Sequence, residues 1–500
     1  MSNLVGIDLG TTYSSIAKLD DTGRPIIIDN AEGKNVTPSI VSFESDNSVV
    51  VGEVAMQNFG IDKNTFGRFK REMGTDKEYV AFDKKYNPTS LSSFVLKKLK
   101  DDAELSIGEI SEAVVTIPAN FANEAREATL AAAKTSGLSI KNIINEPTAA
   151  ALYYAFASGD ELNGNYAIYD LGGGTFDISL IKVEGTEIEV INSDGVSKLG
   201  GDDFDEKLIR IVRDKYKKEA KEELDAEDFT KNQAEEHKKI LSTRSSTKIR
   251  ISSKRKTIEV TREEYENAIS TLIAESEITC ENAVEEANLS MDDINEVILV
   301  GGSTRIPAVK ASVEKVFKKT PKTVGNPDEA VSLGAALFVA YKADPSKLTP
   351  LQQRAVSKVN LSDVTTKFFG TSVAEYDPDK KTYVSVNDTL IEKMQKLPCS
   401  VTKEYVTLRD GQASVKCDVN ESNVEETELD FVKKIWEGEL ELPPGRPAGQ
   451  KIEVTFAYDE NQTMKCSFVD VATKNEKVAE LVLDNENVQT DIDIEDFKVD

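Results

Sequence analysis

The sequence predicts an α/β region built as two related lobes, followed by an all-β sandwich-like module. Three observations carry this. The stretch Tyr166 to Asp177 is an apolar run closed by Asp170-Leu171-Gly172-Gly173-Gly174-Thr175 and a returning strand. It is echoed from Val5 to Ala17 around Asp8-Leu9-Gly10-Thr11-Thr12-Tyr13, with the two aspartates 162 residues apart. Up to about residue 345 short apolar strands alternate with longer helical patterns, the sign of sheets layered with helices. From Asp363 onward the pattern becomes period-two runs separated by turn residues, as in a sandwich.

The repeated turn has a physical use. Glycines lack Cβ atoms, so several backbone N–H groups can converge on one point and cradle phosphate oxygens. The flanking carboxylates Asp8, Asp170 and Asp177 would repel a bare phosphate, so a cation is expected between them and it. Two such bends suggest lobes that face each other, an internal repeat of a domain half rather than a solenoid.

Taken in order, Ser39–Phe43 and Ser48–Val51 read as strands, Ser90–Lys100 as an amphipathic helix, and Ala113–Pro118 as a strand closed by proline. Asn123–Ser136 is an Ala-rich helix stopped by Gly137, and Pro147 sits in the first turn of the next helix, as expected for these residues. Residues 203–290 are charged and mostly helical, interrupted by strands at Thr247–Ser252 and Thr257–Val260. Glu296–Val300 is a buried strand entering a third glycine turn, Gly301-Gly302-Ser303-Thr304-Arg305-Ile306-Pro307, and Asn326–Ala330 opens the last helix of the region. A nucleotide-type region 1–348, a polar connector 349–364, a sandwich 365–488 and an acidic, frayed tail 489–500 are the expected divisions.

Composition narrows the function. Apolar content of 39% with 30% charged residues fits an ordinary globular chain rather than a disordered one. A formal charge of −27 argues against nucleic-acid and anionic-membrane surfaces. The single histidine, His237, lies in a charged run, which excludes a catalytic His triad. Cys280, Cys399, Cys417 and Cys466 form no C-x-x-C pair and read as apolar fillers in a reducing cytoplasm. No apolar run is long enough to span a membrane, and the first residues enter a strand at once, which predicts no leader.

Neither a P-loop nor a G-x-G-x-x-G motif is present. The remaining arrangement is two bends gripping one nucleotide from opposite lobes, with Asp8 and Asp170 reaching Mg²⁺ through water. Hydrolysis would then rest on positioning and charge stabilisation around the γ-phosphoryl.

Four stretches carry a resemblance: Asp8–Tyr13, Asn145-Glu146-Pro147-Thr148-Ala149-Ala150, Asp170–Asp177 and Leu299–Pro307. They resemble the signatures of the 70-kDa heat-shock chaperone family, whose ATPase has the actin-like (ribonuclease-H-like) fold. The resemblance implies that Gly10, Thr11, Thr12 and Tyr13, with Gly172, Gly173, Gly174 and Thr175, hold the phosphates. It implies that Lys70 positions the attacking water, that Glu146 and Asp170 lie beside the metal and that water, and that Thr175 serves the γ-phosphate. Glu235, Lys238, Lys239, Ser242, Gly302, Ser303, Arg305 and Asp328 correspond to the adenosine clamp, and Gly200, Gly201, Gly301 and Ile306 to further nucleotide-binding positions. Mg²⁺ with ATP or ADP, and K⁺ as a further cation, are the cofactors implied. Pro118 and Arg126 match residues of interdomain signalling. Taken alone, Lys70 would be a solvated charge and Glu146 a carboxylate favoured by a helix N-terminus.

Residues 363–485 resemble the family's peptide-binding sandwich. Tyr405, Val415 and Cys417 fall where that groove is lined, and Ala374 and Leu408 at the arch over the peptide; an ordinary core role is the competing reading for each. The resemblance implies an ATPase chaperone that binds apolar extended peptides, with J-domain and nucleotide-exchange co-chaperones as partners. Two departures point the other way. The connector Lys358-Val359-Asn360-Leu361-Ser362-Asp363 is poorer in leucine than the family's, and the sequence reaches Asp500 without a helical lid. They support a rival reading, a nucleotide-gated protein with one dedicated partner. An actin-like polymer and a sugar kinase are further alternatives; the appended β module disfavours the first, and no sugar-site motif supports the second.

Overall fold

In the computed structural model, residues 3–158, 162–185, 187–357, 360–459, 463–481 and 492–500 are described. The chain divides into two units, Met1–Leu361 with Val488–Asp500, and Ser362–Asn487.

The first unit contains the predicted repeat as topology. In one lobe the strand Asn3–Asp8 pairs parallel with Ile110–Ile117 and antiparallel with Tyr13–Leu19. In the other, Asn163–Leu171 pairs parallel with Ile294–Val300 and antiparallel with Phe176–Glu184. Each glycine bend is therefore the turn of a hairpin whose first strand is central to its sheet. These strands are apolar on both faces because helices cover the sheets. Val5, Ile7, Val115 and Leu96 share one core, while Tyr169, Phe176, Leu299 and Phe204 share the other.

Local chemistry sets the helix limits. Asn87 caps Pro88–Ile107 by accepting from the Ser90 amide, and Pro88 occupies the first turn. The helix Glu146–Ser158 starts at the carboxylate expected to open it. Lys231–Thr243 carries a capping box between Thr230 and Gln233.

Two stretches differ from expectation. The connector carries a capped helix, Pro350–Val356, and Asn360–Ser362 joins the sheet beside Glu187–Val196. Lys358 and Val359 lie outside the described residues. The acidic end does not fray: Lys498–Val499 pairs parallel with Ser48–Val51, and Ile494 is 4% exposed in the first lobe's core. Burying such a side chain supplies roughly 1.5–3 kcal/mol. The alternation of apolar residues with acids hides this, because the net charge reads as a solvated tail.

The second unit is two four-stranded antiparallel sheets. One orders Thr382–Ile391, Phe368–Asp377, Ser414–Ser422 and Lys433–Glu441; the other orders Cys399–Val406, Lys451–Tyr458, Met464–Asp470 and Glu476–Leu481. Inward residues from both sheets, among them Val419, Phe456 and Phe468, form its core. Among the described residues no helix is long and apolar enough to cross a membrane. All four cysteines are free.

Candidate active site

Both hairpin bends open on one cleft of about 680 Å³ within the first unit, a size suited to a small-molecule ligand. Its walls include every nucleotide-site residue expected from sequence except Gly200 and Asp177. Gly200 lies behind the second bend, where a Cβ would come 2.6 Å from the Gly173 carbonyl carbon.

The bends touch. A Cβ on Gly173 would stand 1.8 Å from Thr12 Oγ1, so only glycine permits this approach. Gly10 is equally constrained, with the Tyr13 carbonyl oxygen 1.9 Å from where its Cβ would be. The first bend is held by Ser39, whose hydroxyl donates to the Gly10 carbonyl at 2.7 Å. Ser303 Oγ donates to the Gly172 carbonyl at 2.8 Å and ties the third glycine turn to the second. Thr12 Oγ1 is buried, with no hydrogen-bond partner among the described residues. A buried hydroxyl of that kind calls for a ligand or water.

Beneath the bends lies an acid cluster. Asp170 and Asp177 are register partners in their hairpin, both buried. Asp8 keeps part of its surface at the cleft. Burial, then the nearby Glu146 carboxylate, pushes Asp8 up to about 7 and Asp177 up to about 8. Asp170 is raised well above the usual carboxylate range for the same two reasons, with Asp177 and Asp8 adding to them. The Lys70 ammonium faces all of these acids. It donates to Glu146 Oε1 at 2.5 Å, and both side chains are buried. The excess negative charge fits a bound dication. Among the described residues no three His, Cys, Asp or Glu side chains stand close enough to hold a metal directly, so the acids suit an ion that keeps its waters, as Mg²⁺ does.

The helix Lys231–Thr243 forms the far wall. Glu235, Lys238 and Ser242 lie on one of its faces, at helical spacing. Lys238 donates to the Gly201 carbonyl at 3.0 Å and to Asp205 at 2.9 Å. Lys239 pairs with Glu235 at 2.7 Å and lies 5.1 Å from the centroid of the Tyr13 ring. Arg305 bonds Asp328 at 2.9 Å at the rim. Burial would raise Glu235, yet Lys238, Lys239 and Arg68 together hold it below its ordinary value.

These findings agree with known proteins. The sequence pattern of the family described as Hsp70 protein matches residues 4–500. Chaperone protein DnaK of Mycoplasma mobile is 35% identical over 506 residues, covering 98% of this chain and 80% of that protein. The chain belongs to the Hsp70 protein family. Hsp70 proteins are ATPases, and this one is a chaperone-type ATPase with the two-lobed actin-like fold and a β sandwich. Members of the family bind nucleotide with Mg²⁺.

Sequence reasoning missed Arg68, Asp202 and Asp205 on the cleft wall. Arg68, in the basic run around Lys70, looks solvated, but it adopts φ 66° and reaches the other lobe, pairing with Asp202 and with Glu235 at 3.4 Å. Asp202-Asp203 at a helix start after two glycines was the available signal.

In the sandwich of this Hsp70 chain, Ala374 and Leu408 are exposed, and Tyr405 and Val415 are half-buried. Tyr405 donates its hydroxyl to Asp388 at 2.7 Å. Cys417 does not line a groove: it is 0% exposed in the sandwich core. Strand alternation turns it inward with Val419.

Proposed function

We propose that this Hsp70 chain couples ATP turnover in the first unit to binding of apolar extended peptide segments in its sandwich. The observation that carries the nucleotide half is the contact of Thr12 with Gly173 above the acid cluster and the Lys70–Glu146 pair. In this reading the backbone of both bends and Thr175 hold the phosphates, while Lys70 and Glu146 orient the attacking water. Asp8, Asp170 and Asp177 face a hydrated Mg²⁺, whose charge offsets theirs, and K⁺ is a further cation of the site. The helix bearing Glu235, Lys238 and Ser242, with Gly302 and Arg305, grips the adenosine. Ala374, Leu408, Tyr405 and Val415 are the sandwich residues offered to a peptide, which would gain backbone hydrogen bonds along an extended path. J-domain and nucleotide-exchange co-chaperones, and a cytoplasmic setting, belong to the same reading.

The test is fluorescence anisotropy of a labelled Leu-rich peptide with saturating ATP and with ADP. Nucleotide control predicts affinities that differ by about 5- to 150-fold, since coupling is typically about 1–3 kcal/mol. Equal affinities in the two states would refute the coupling. Binding only to one folded protein would favour the dedicated-partner reading.

A further inference from the structure

The strand Ser48–Val51 would be the edge of its small sheet were it not for Lys498–Val499, since the order runs Lys498–Val499, Ser48–Val51, Ile40–Ser45, Thr65–Gly67. It carries three consecutive valines and no charge, the kind of edge that recruits another extended segment. The C-terminal segment closes it on two levels. Along the backbone, the Lys498 amide donates to Asn47 at 3.0 Å, the Asp500 amide to Val49 at 2.9 Å, and the Val51 amide to Asp500 at 2.8 Å. Behind the strand, Ile494 is buried and Phe497 sets its ring edge-on to Phe94 at 5.1 Å and Tyr86 at 6.4 Å, with Lys84 Nζ 5.8 Å from its centroid. The contacts combine a ladder with fitted aromatic packing. The sandwich unit Ser362–Asn487 lies in sequence between two parts of the first unit.

We propose that the edge of Ser48–Val51 is a strand-addition site whose ligand is this chain's own segment Ile492–Asp500, so that the sandwich unit is fastened to the nucleotide unit at both of its ends. A tethered segment acts at an effective concentration on the order of millimolar, so the docked form excludes extended segments in trans. Once released, the same edge accepts one. This inference does not depend on the peptide-binding reading of the sandwich.

The test uses the full chain and two variants. Ile494→Glu with Phe497→Glu removes the apolar anchors. Lys498→Pro removes the backbone donor to Asn47, together with the lysine's ion pair to Asp500, and leaves Ile494 and Phe497 in place. The probe is a fluorescein-labelled peptide of residues 490–500, followed by anisotropy. It should bind the double variant and bind the unchanged chain about tenfold or more weakly, given the tethered competitor. Lys498→Pro should fall between them. Hydrogen exchange at the Val51 amide should be about 100-fold faster in the double variant, as for a local opening. Equal probe binding to the unchanged chain and the double variant, no binding to either, or equal Val51 exchange would overturn the proposal. A dimer of the unchanged chain that the double variant dissolves in sedimentation would overturn it too, by assigning the segment to a second copy. ADP titration of the double variant should match the unchanged chain; loss of ADP binding would instead make the segment a structural part of the lobe and also overturn the proposal.

Discussion

Lys70 and Glu146 come from different elements of the first unit and meet as a buried ion pair at 2.5 Å beside the acid cluster. The turn Phe69–Glu72 presents the lysine, and the start of the helix Glu146–Ser158 presents the carboxylate. Under the proposed function, Lys70 supplies the ammonium beside the developing γ-phosphoryl charge. Replacing it with alanine removes that charge and leaves Glu146 buried without its partner, a change worth about 3 kcal/mol in stability. Lys70→Ala is expected to retain ADP binding but lose about 10²–10³-fold in single-turnover ATP hydrolysis. Hydrolysis at the unchanged rate would remove Lys70 from the mechanism.

The acid cluster makes the nucleotide-free protein sensitive to pH. Burial and Glu146 raise Asp8 to about 7 and Asp177 to about 8, from 3.8 in an open chain. The folded state therefore holds protons that the unfolded chain releases. These groups favour the fold below about pH 4, and that contribution is lost as pH rises through about 7 to 8. In EDTA the melting temperature is expected to fall from about pH 5 to about pH 8, as stability drops by up to about 1.4 kcal/mol per pH unit for each proton involved. Mg²⁺ with ADP should flatten the curve, and Asp177→Asn should reduce its slope. A melting temperature that rises over this range without metal would contradict the assignment.

The hairpin bends and the period-two strands of the sandwich were legible because each is written locally. An apolar run, an acid and a set of glycines specify a strand and its turn wherever they occur. The helix bearing Glu235, Lys238 and Ser242 was assigned to the site by the family resemblance, since its charged run alone reads as a solvated face. Arg68 was not, because its partners Asp202 and Glu235 are distant in sequence and an αL arginine has no local signature. Cys417 was misplaced because family position suggested a groove, whereas it packs fully buried in the sandwich core, beside the half-buried Val415 of the same strand face. The tail was misread because composition averages over ten residues, while Ile494 and Phe497 act singly.

The approach of Gly173 to Thr12 gives a coupling that can be measured. Gly173→Ala places a methyl where Thr12 Oγ1 now stands, and should weaken ATP binding by about tenfold or more, as overpacking of 1–3 kcal/mol allows. Thr12→Gly clears that space. Combined, the two should bind ATP better than the sum of their separate losses, with a coupling of about 0.5–3 kcal/mol in isothermal titration. Strict additivity would mean that the bends do not meet in solution.

Arg68 provides the last prediction. Its guanidinium leaves the first lobe, stacks 5.3 Å from the Phe59 ring centroid, and pairs with Asp202 and Glu235 of the second. Burial would lower its proton affinity, but Asp202 and Glu235 outweigh burial and keep it charged. Arg71 adds a second link to Asp203 at 3.1 Å. In the proposed function Glu235 belongs to the adenosine helix, so the pair would join nucleotide contact to lobe closure. Opening the cleft requires both charges to part. Arg68→Ala is expected to speed ADP release about tenfold, equivalent to about 1.4 kcal/mol, in stopped-flow displacement of a fluorescent ADP. Arg68→Lys keeps the charge but loses the two-pronged geometry, and should fall between. A general loss of stability would lower the melting temperature without changing release from the folded protein. Release at the unchanged rate in Arg68→Ala would therefore show that the pair packs the wall without holding the lobes together.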